Sequence, residues 1–134
     1  MKLRYLSLCA VVCLFAAISA TAQDAAKVDP KHYKVEAENA QVRVVRIHYG
    51  PHEKSVIHSH PESVIVALTD GTVRMHLPDG KTQDTQLKKG AAQIMPASVH
   101  EPENLSDAPF ELIQIELKAP KAAAMASAKK ETKK

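Results

Sequence analysis

The stretch Val56-Ile57-His58-Ser59-His60-Pro61-Glu62-Ser63-Val64 organises the reading of this chain. Successive side chains of a β-strand point to opposite faces, so His58 and His60 share one face, with Cβ atoms roughly 6.5–7 Å apart. Two imidazoles at that spacing can lean toward one ion and each place a nitrogen about 2.1 Å from it. Pro61-Glu62-Ser63 reads as a tight turn. A second short stretch, Pro96 to Asn104, carries His100 in a distant part of the chain. A third imidazole from that strand completes a facial set of three, and the remaining sequence is expected to be the frame that brings His100 to His58 and His60.

Outward from this stretch, short apolar or alternating runs are separated by turn signals, an all-β pattern. Tyr33–Glu38 and Val42–Tyr49 come first, and Gly50-Pro51-His52 breaks the chain. Val56–His60 and Val64–Leu68 flank the turn at Pro61. Asp70-Gly71 and Asp79-Gly80 are hairpin dipeptides on either side of Val73–Leu77. Thr82–Leu87 is polar and alternating, which suits an edge strand. Ala92–Met95, Val99–Asn104 and Phe110–Leu117 finish the set. Eight or nine strands between His32 and Leu117 have the proportions of a small double-sheet barrel or jelly roll. Val64, Val66 and Leu68 carry the parity of His58 and His60. With the turn in register they line the same interior and make it apolar around the histidines. Tyr33, Tyr49 and Phe110 are the only aromatics beyond the N-terminal segment, too few for ring-stacking recognition, so a small ligand is expected.

The chain of 134 residues suggests one domain. Residues 1–22 read as an export signal. Lys2 and Arg4 form the positive start, Leu6 to Ile18 the uncharged apolar run, and Ala20-Thr21-Ala22 the small-residue site, with cleavage expected after Ala22. The apolar run is too short to span a bilayer comfortably, so no stable membrane insertion is expected and the protein is placed in the periplasm or outside the cell. Both cysteines, Cys9 and Cys13, lie in this signal, leaving the mature chain without disulfide or thiolate ligand. Residues 23–31 read as a linker. Residues 118–134 hold six lysines and one glutamate and read as a disordered basic tail. Residues 23–117 hold ten Lys/Arg against fourteen Asp/Glu, so the folded part gives no reason to expect nucleic acid.

These residues resemble the cupin family. Its first motif places a glycine, His-x-His, a glutamate three or four residues on, and a second glycine. Gly50, His58, His60 and Gly71 fit, with two extra residues before His58, and the glutamate position falls on Val64. In the second motif Gly90, Pro96, His100 and Asn104 fit, while Ser98 replaces a glycine and the turn is one residue shorter. The resemblance covers residues 40–117 and implies a double-stranded β-helix barrel with His58, His60 and His100 as metal ligands. It also implies that the usual carboxylate ligand is missing. Thiol dioxygenases of the same family use three histidines alone, so a metal remains expected.

An all-nitrogen set suits Zn, Cu or Ni better than oxygen-preferring ions; Fe or Mn would be the next choices. Glu62, the nearest carboxylate, is a candidate fourth ligand or base, but its place after Pro61 points it to water. Arg74 and His76 share one face of their strand, opposite Val73, Met75 and Leu77, and one of the two faces lines the cavity. Gln93 and Met95 are read as core or edge residues near the second motif. His32, His48 and His52 are read as surface residues, and Asn104 as fixing a turn. Two function classes stand: a metal-dependent enzyme, oxygenase-like, acting on a small molecule, and a non-catalytic module binding metal or a small ligand. The edge strand Thr82–Leu87 and the resemblance both imply a homodimer.

Overall fold

A computed structural model of the protein describes residues 23–119. The expected export signal lies outside these residues, as does the basic tail beyond Ala119. Among the described residues nine strands form, and each matches a run expected from the sequence to within two residues: β1 Tyr33–Glu38, β2 Val42–Tyr49, β3 His58–His60, β4 Ser63–Ala67, β5 Gly71–His76, β6 Thr82–Leu87, β7 Ala92–Met95, β8 Ser98–Asn104 and β9 Phe110–Leu117. They make two antiparallel sheets. One runs β1-β2-β9-β4-β7, the other β3-β8-β5-β6. The architecture is the all-β double-sheet barrel that the pattern of short strands implied.

Alternation puts one parity of each strand inside. Val45, Ile47 and Tyr49 of β2, Phe110 and Leu112 of β9, Ile65 and Ala67 of β4, and Val73 of β5 form the core, closed by Leu87 from β6. Gly71 is required here by space. A Cβ on it would lie 2.3 Å from the Phe110 ring, far inside contact distance. Gly80 and Gly90 hold their turns at φ of +81° and +82°, where a Cβ is strained.

Four expectations are corrected. First, residues 23–31 are not a linker. Asp24 caps a one-turn helix, α1 (Ala25–Val28), by accepting from the Ala26 N–H at 3.0 Å. Ala25 and Asp29 are buried, and the Ser59 N–H donates to the Gln23 carbonyl at 2.9 Å, which lays this segment along β3. Second, His32 is not a surface residue. It is 6% exposed, stacks on Tyr49 and bonds Asp29 at 2.6 Å. His48 and His52 are exposed, as expected. Third, the turn at Pro61 shifts parity by one residue. Ser63, Ile65 and Ala67 face the interior, and Val64 and Val66 the outer side. Fourth, Lys118, assigned to the tail, is still tied down. Its N–H donates to the Gln41 carbonyl at 2.8 Å and its ammonium to the Asn39 carbonyl at 2.7 Å.

An apolar row crosses the outer face of the larger sheet, beside the Arg46, Glu36 and Glu111 ion pairs. Ala37, Val44, Ile115, Val64 and Ile94 follow one another across five strands in register, and Ile94, on edge strand β7, is 75% exposed.

Candidate metal centre

Register explains why His100 meets the His-x-His pair. β3 pairs with β8 so that His58 lies directly opposite His100 and His60 opposite Ser98. The three rings converge, with centroids 4.8 Å apart for His58–His60, 5.1 Å for His58–His100 and 5.4 Å for His60–His100. One nitrogen from each lies within 4.8 Å of the others, a group that can hold a metal ion.

The hydrogen bonds assign the protons. His58 Nδ1 lies 2.7 Å from the Val56 carbonyl oxygen, which can only accept. The proton is therefore on Nδ1 and the Nε2 lone pair is bare. That Nε2 is fully buried and has no hydrogen-bond partner among the described residues. His60 Nδ1 lies 2.7 Å from Glu116 Oε1, so it too donates from Nδ1 and keeps Nε2 for the centre. His100 Nδ1 has a long contact, 3.4 Å, to Ser98 Oγ. Burial, and then the neighbouring His60, push His58 down to about 4 and His100 down to about 3. Both are neutral at ordinary pH, which is the form that binds a metal. A buried lone pair with no donor is costly in a protein interior and is satisfied by a cation. The residues therefore fit the divalent ion that the fold implies.

Glu116 was missed by the sequence reading. Burial raises its carboxyl, but the hydrogen bonds from His60 and Arg43 outweigh that and hold it below the usual carboxylate range. Arg43 Nε donates to Glu116 Oε2 at 2.6 Å, and Arg43 Nη1 to Asp24 Oδ2 at 2.6 Å. Tyr33, the first residue of β1, was also missed. It packs edge-on against His58 at 4.8 Å and shares a hydrogen bond with the Tyr49 hydroxyl. The available signal was parity: Glu116 is two residues from Gln114 and four from Leu112 on a strand whose opposite face is Glu111, Ile113, Ile115 and Leu117. The Glu116 face is half apolar and the opposite face more so, so the sequence by itself favours the wrong face.

The other candidates fall into place around the centre. Glu62 is exposed in its turn, away from the interior. Val64, at the family's glutamate position, faces outward. The interior residue beside it is Ser63, which accepts from Gln114 Nε2 at 3.0 Å. Arg74 and His76 also face outward, paired with Asp84 and Glu103 at 2.7 Å each, so the Val73 and Met75 face is the one that lines the cavity. Met95 lines it too, whereas Gln93 is exposed. Asn104 is buried and spans a turn, donating to the Gly50 and Ala108 carbonyls and accepting from the Ser106 N–H.

A cavity of about 50 Å³ opens beside His60 and His100, walled by Ile65, Val73, Met75 and Leu112, with Ser63, Ser98 and Gln114 among its polar groups. At about 10–15 Å³ per enclosed water, that is room for a few waters or one small molecule. Tyr33 and Tyr49 also line it, and burial raises both phenols, so they stay protonated.

Comparison with known proteins agrees with this fold. The sequence matches the cupin domain family model over residues 45–116. A cupin domain from Bordetella pertussis Tohama I is 29% identical with a TM-score of 0.61, covering 65% of this chain and 92% of that one. A conserved protein with a double-stranded β-helix domain from Klebsiella pneumoniae is 26% identical with a TM-score of 0.52, covering 63% of this chain and 74% of that one. A protein from Bacillus halodurans shares the fold at 21% identity, with a TM-score of 0.53 over 71% of this chain and 83% of that one. No curated protein matches the sequence. Matched over more than half its length, and built as the same double-stranded β-helix, the chain belongs to the cupin domain family.

Proposed function

We propose that this cupin domain binds one divalent transition-metal ion through His58, His60 and His100 and acts on a small molecule admitted to the apolar cavity beside them. The observation that carries the reading is the buried, unpartnered Nε2 of His58, set among two further imidazoles. Three neutral nitrogens favour Zn, Cu or Ni, with Fe next and Mn least. Such an ion supplies Lewis acidity, or one-electron chemistry in the case of Cu or Fe. The chain's own residues orient the ligands and exclude water. Val56 and Glu116 fix two imidazole tautomers, and Ile65, Met75 and Leu112 keep the cavity dry. Ser63 and Gln114 are the groups that would orient a polar end of the bound molecule.

Elemental analysis of protein isolated from its native compartment tests this. One ion per chain is expected, and a wild-type protein that neither retains nor takes up stoichiometric metal would falsify the reading. A second reading, a binding module without catalysis, has one observation in its favour. Besides the histidines, the cavity wall offers only two tyrosines as ionisable groups, and both are held protonated. Bound Cu or Fe with substrate-dependent oxygen uptake supports the enzyme; zinc without turnover supports the module.

Two further expectations are part of the same proposal. The protein is exported, with cleavage after Ala22, and a mature mass that still includes Met1 would refute it. It pairs with a second copy of itself, supported by the apolar row that ends at exposed Ile94 on an edge strand. A monomer mass by light scattering at micromolar concentration would count against pairing.

A further inference from the structure

The family's carboxylate ligand is absent, yet a carboxylate stands one residue behind the ligands. Glu116 enters from β9, directly opposite both Arg43 of β2 and Ser63 of β4. Its side chain is 3% exposed, and Oε1 accepts from His60 Nδ1 at 2.7 Å. A buried ion pair adds little net stability over an apolar replacement, because desolvation of the charges offsets their attraction. Its presence at this spot calls for another reason. A carboxylate on the far nitrogen of an imidazole fixes the tautomer, aims the free nitrogen and makes it a stronger donor to a metal.

Glu116 is itself held. Arg43 grips Oε2 through Nε at 2.6 Å and reaches Asp24 through Nη1 at 2.6 Å. Taken together, Asp24, Arg43 and Glu116 carry one net negative charge, the same as the ligand carboxylate the motif lacks. Asp24 is anchored beside the centre, since it forms a parallel bridge with Ser59, between His58 and His60, and caps α1. The opposite side of the N-terminal segment reaches the other ligand: Ser55 Oγ donates to Asp29 at 2.5 Å, and Tyr33 packs on the His58 ring.

We propose that Glu116 is a positioning residue of the metal centre, supplying through His60 the negative charge that the ligand set lacks, and that Arg43 and Asp24 hold it in place so that the segment from Gln23 to Tyr33 belongs to the site. This rests on the three-histidine reading above.

The test compares wild type, Glu116→Gln, Arg43→Met/Glu116→Gln and Asp24→Asn, using zinc with a chromophoric chelator as competitor and Co(II) as a spectroscopic probe. Glu116→Gln alone leaves Arg43 facing an amide donor and risks misfolding. The double variant removes that conflict and still offers an amide oxygen to His60 Nδ1–H. In the double variant zinc affinity is expected to fall about 10–100-fold, with a shifted Co(II) visible spectrum, while the metal-free melting temperature stays near wild type. Asp24→Asn is expected to weaken zinc several-fold in the wild-type background and to do nothing in the double variant. Unchanged zinc affinity and an unchanged Co(II) spectrum in the double variant would overturn the proposal and leave Glu116 as a structural ion pair. A wild-type protein that binds neither zinc nor Co(II) would instead overturn the three-histidine reading, and this inference with it.

Discussion

β3 and β5 are built on the same plan and serve opposite ends. His58-Ser59-His60 and Arg74-Met75-His76 each place two polar groups two residues apart, and strand geometry gives each pair one face. In β3 both histidines are buried, at 0% and 6% exposure. In β5 Arg74 and His76 look out and close ion pairs with Asp84 and Glu103. The difference lies in the residues between. Val73 and Met75 claim the interior of β5, and burying them outweighs any gain from turning the polar pair inward. In β3 the residue between is Ser59, which offers little apolar surface to bury, and Ile57 on the same face stays 54% exposed. Spacing makes a pair; the competing parity decides which way it faces.

The largest test of this contrast is to delete each pair. His58→Ala/His60→Ala is expected to lose all bound metal, whereas Arg74→Ala/His76→Ala retains one ion per chain and moves the melting temperature little, as exposed ion pairs contribute little. Elemental analysis of both, loaded from the same mixed-metal buffer, checks it. Metal retained by the first variant or lost by the second would break the comparison.

A second test uses acid. The folded His58 titrates near 4 and the folded His100 near 3, because burial opposes their charging. The unfolded chain takes up these protons near 6.5, so between 6.5 and 4 the unfolded state binds more protons and stability falls as pH falls. For His58 alone the loss is on the order of 3 kcal/mol across that window. Glu116, held below its usual value, acts in the same direction at still lower pH. The metal-free protein should therefore melt progressively lower from pH 7 to pH 4.5, and added zinc should blunt the decline near neutral pH by binding the folded form. A flat profile in the metal-free protein would mean that the histidines are not held neutral by burial.

The far end of the barrel gives a smaller effect. Gly71→Ala pushes a methyl into Phe110 and is expected to cost about 1–3 kcal/mol, measured by denaturant midpoint, with metal stoichiometry intact. Gly80→Ala meets open space and only the strain of positive φ, about 1 kcal/mol. Reversal of that order would mean that Gly71 is kept for its backbone rather than for Phe110.

The smallest expected effect concerns Val64. Since it faces outward, Val64→Glu should leave metal content and metal preference unchanged, read from the same mixed-metal loading. A shift toward Mn or Fe would return Val64 to the interior and overturn the parity described for β4.

The strand plan, the turns and the three histidines were legible because each rests on local information: period-two alternation, Gly and Pro at breaks, and motif spacing. The interior parity of β4 was not, because the turn at Pro61-Glu62 inserts a one-residue shift that spacing alone does not reveal. Glu116 was hidden for a related reason, since both faces of Phe110–Leu117 carry apolar residues and the apparently drier one, with Ile113 and Ile115, lies outside. His32 and residues 23–31 were misread because their polarity suits solvent equally well. They are buried by mutual satisfaction, His32 with Asp29 and Asp29 with Ser55, which no single-residue preference records.

By itself, then, the sequence determined an all-β barrel with two imidazoles on one strand face and a third on a distant strand, because side-chain alternation and turn chemistry act within a few residues. Only the tertiary structure decided that β3 pairs with β8 in the register that sets His58 against His100, that Arg43 and Glu116 meet from different strands, and that the segment at Gln23 lies against Ser59. Those contacts join residues far apart in the chain. They are selected by the burial of whole faces and by the need of each enclosed charge for a partner, which only the assembled barrel defines.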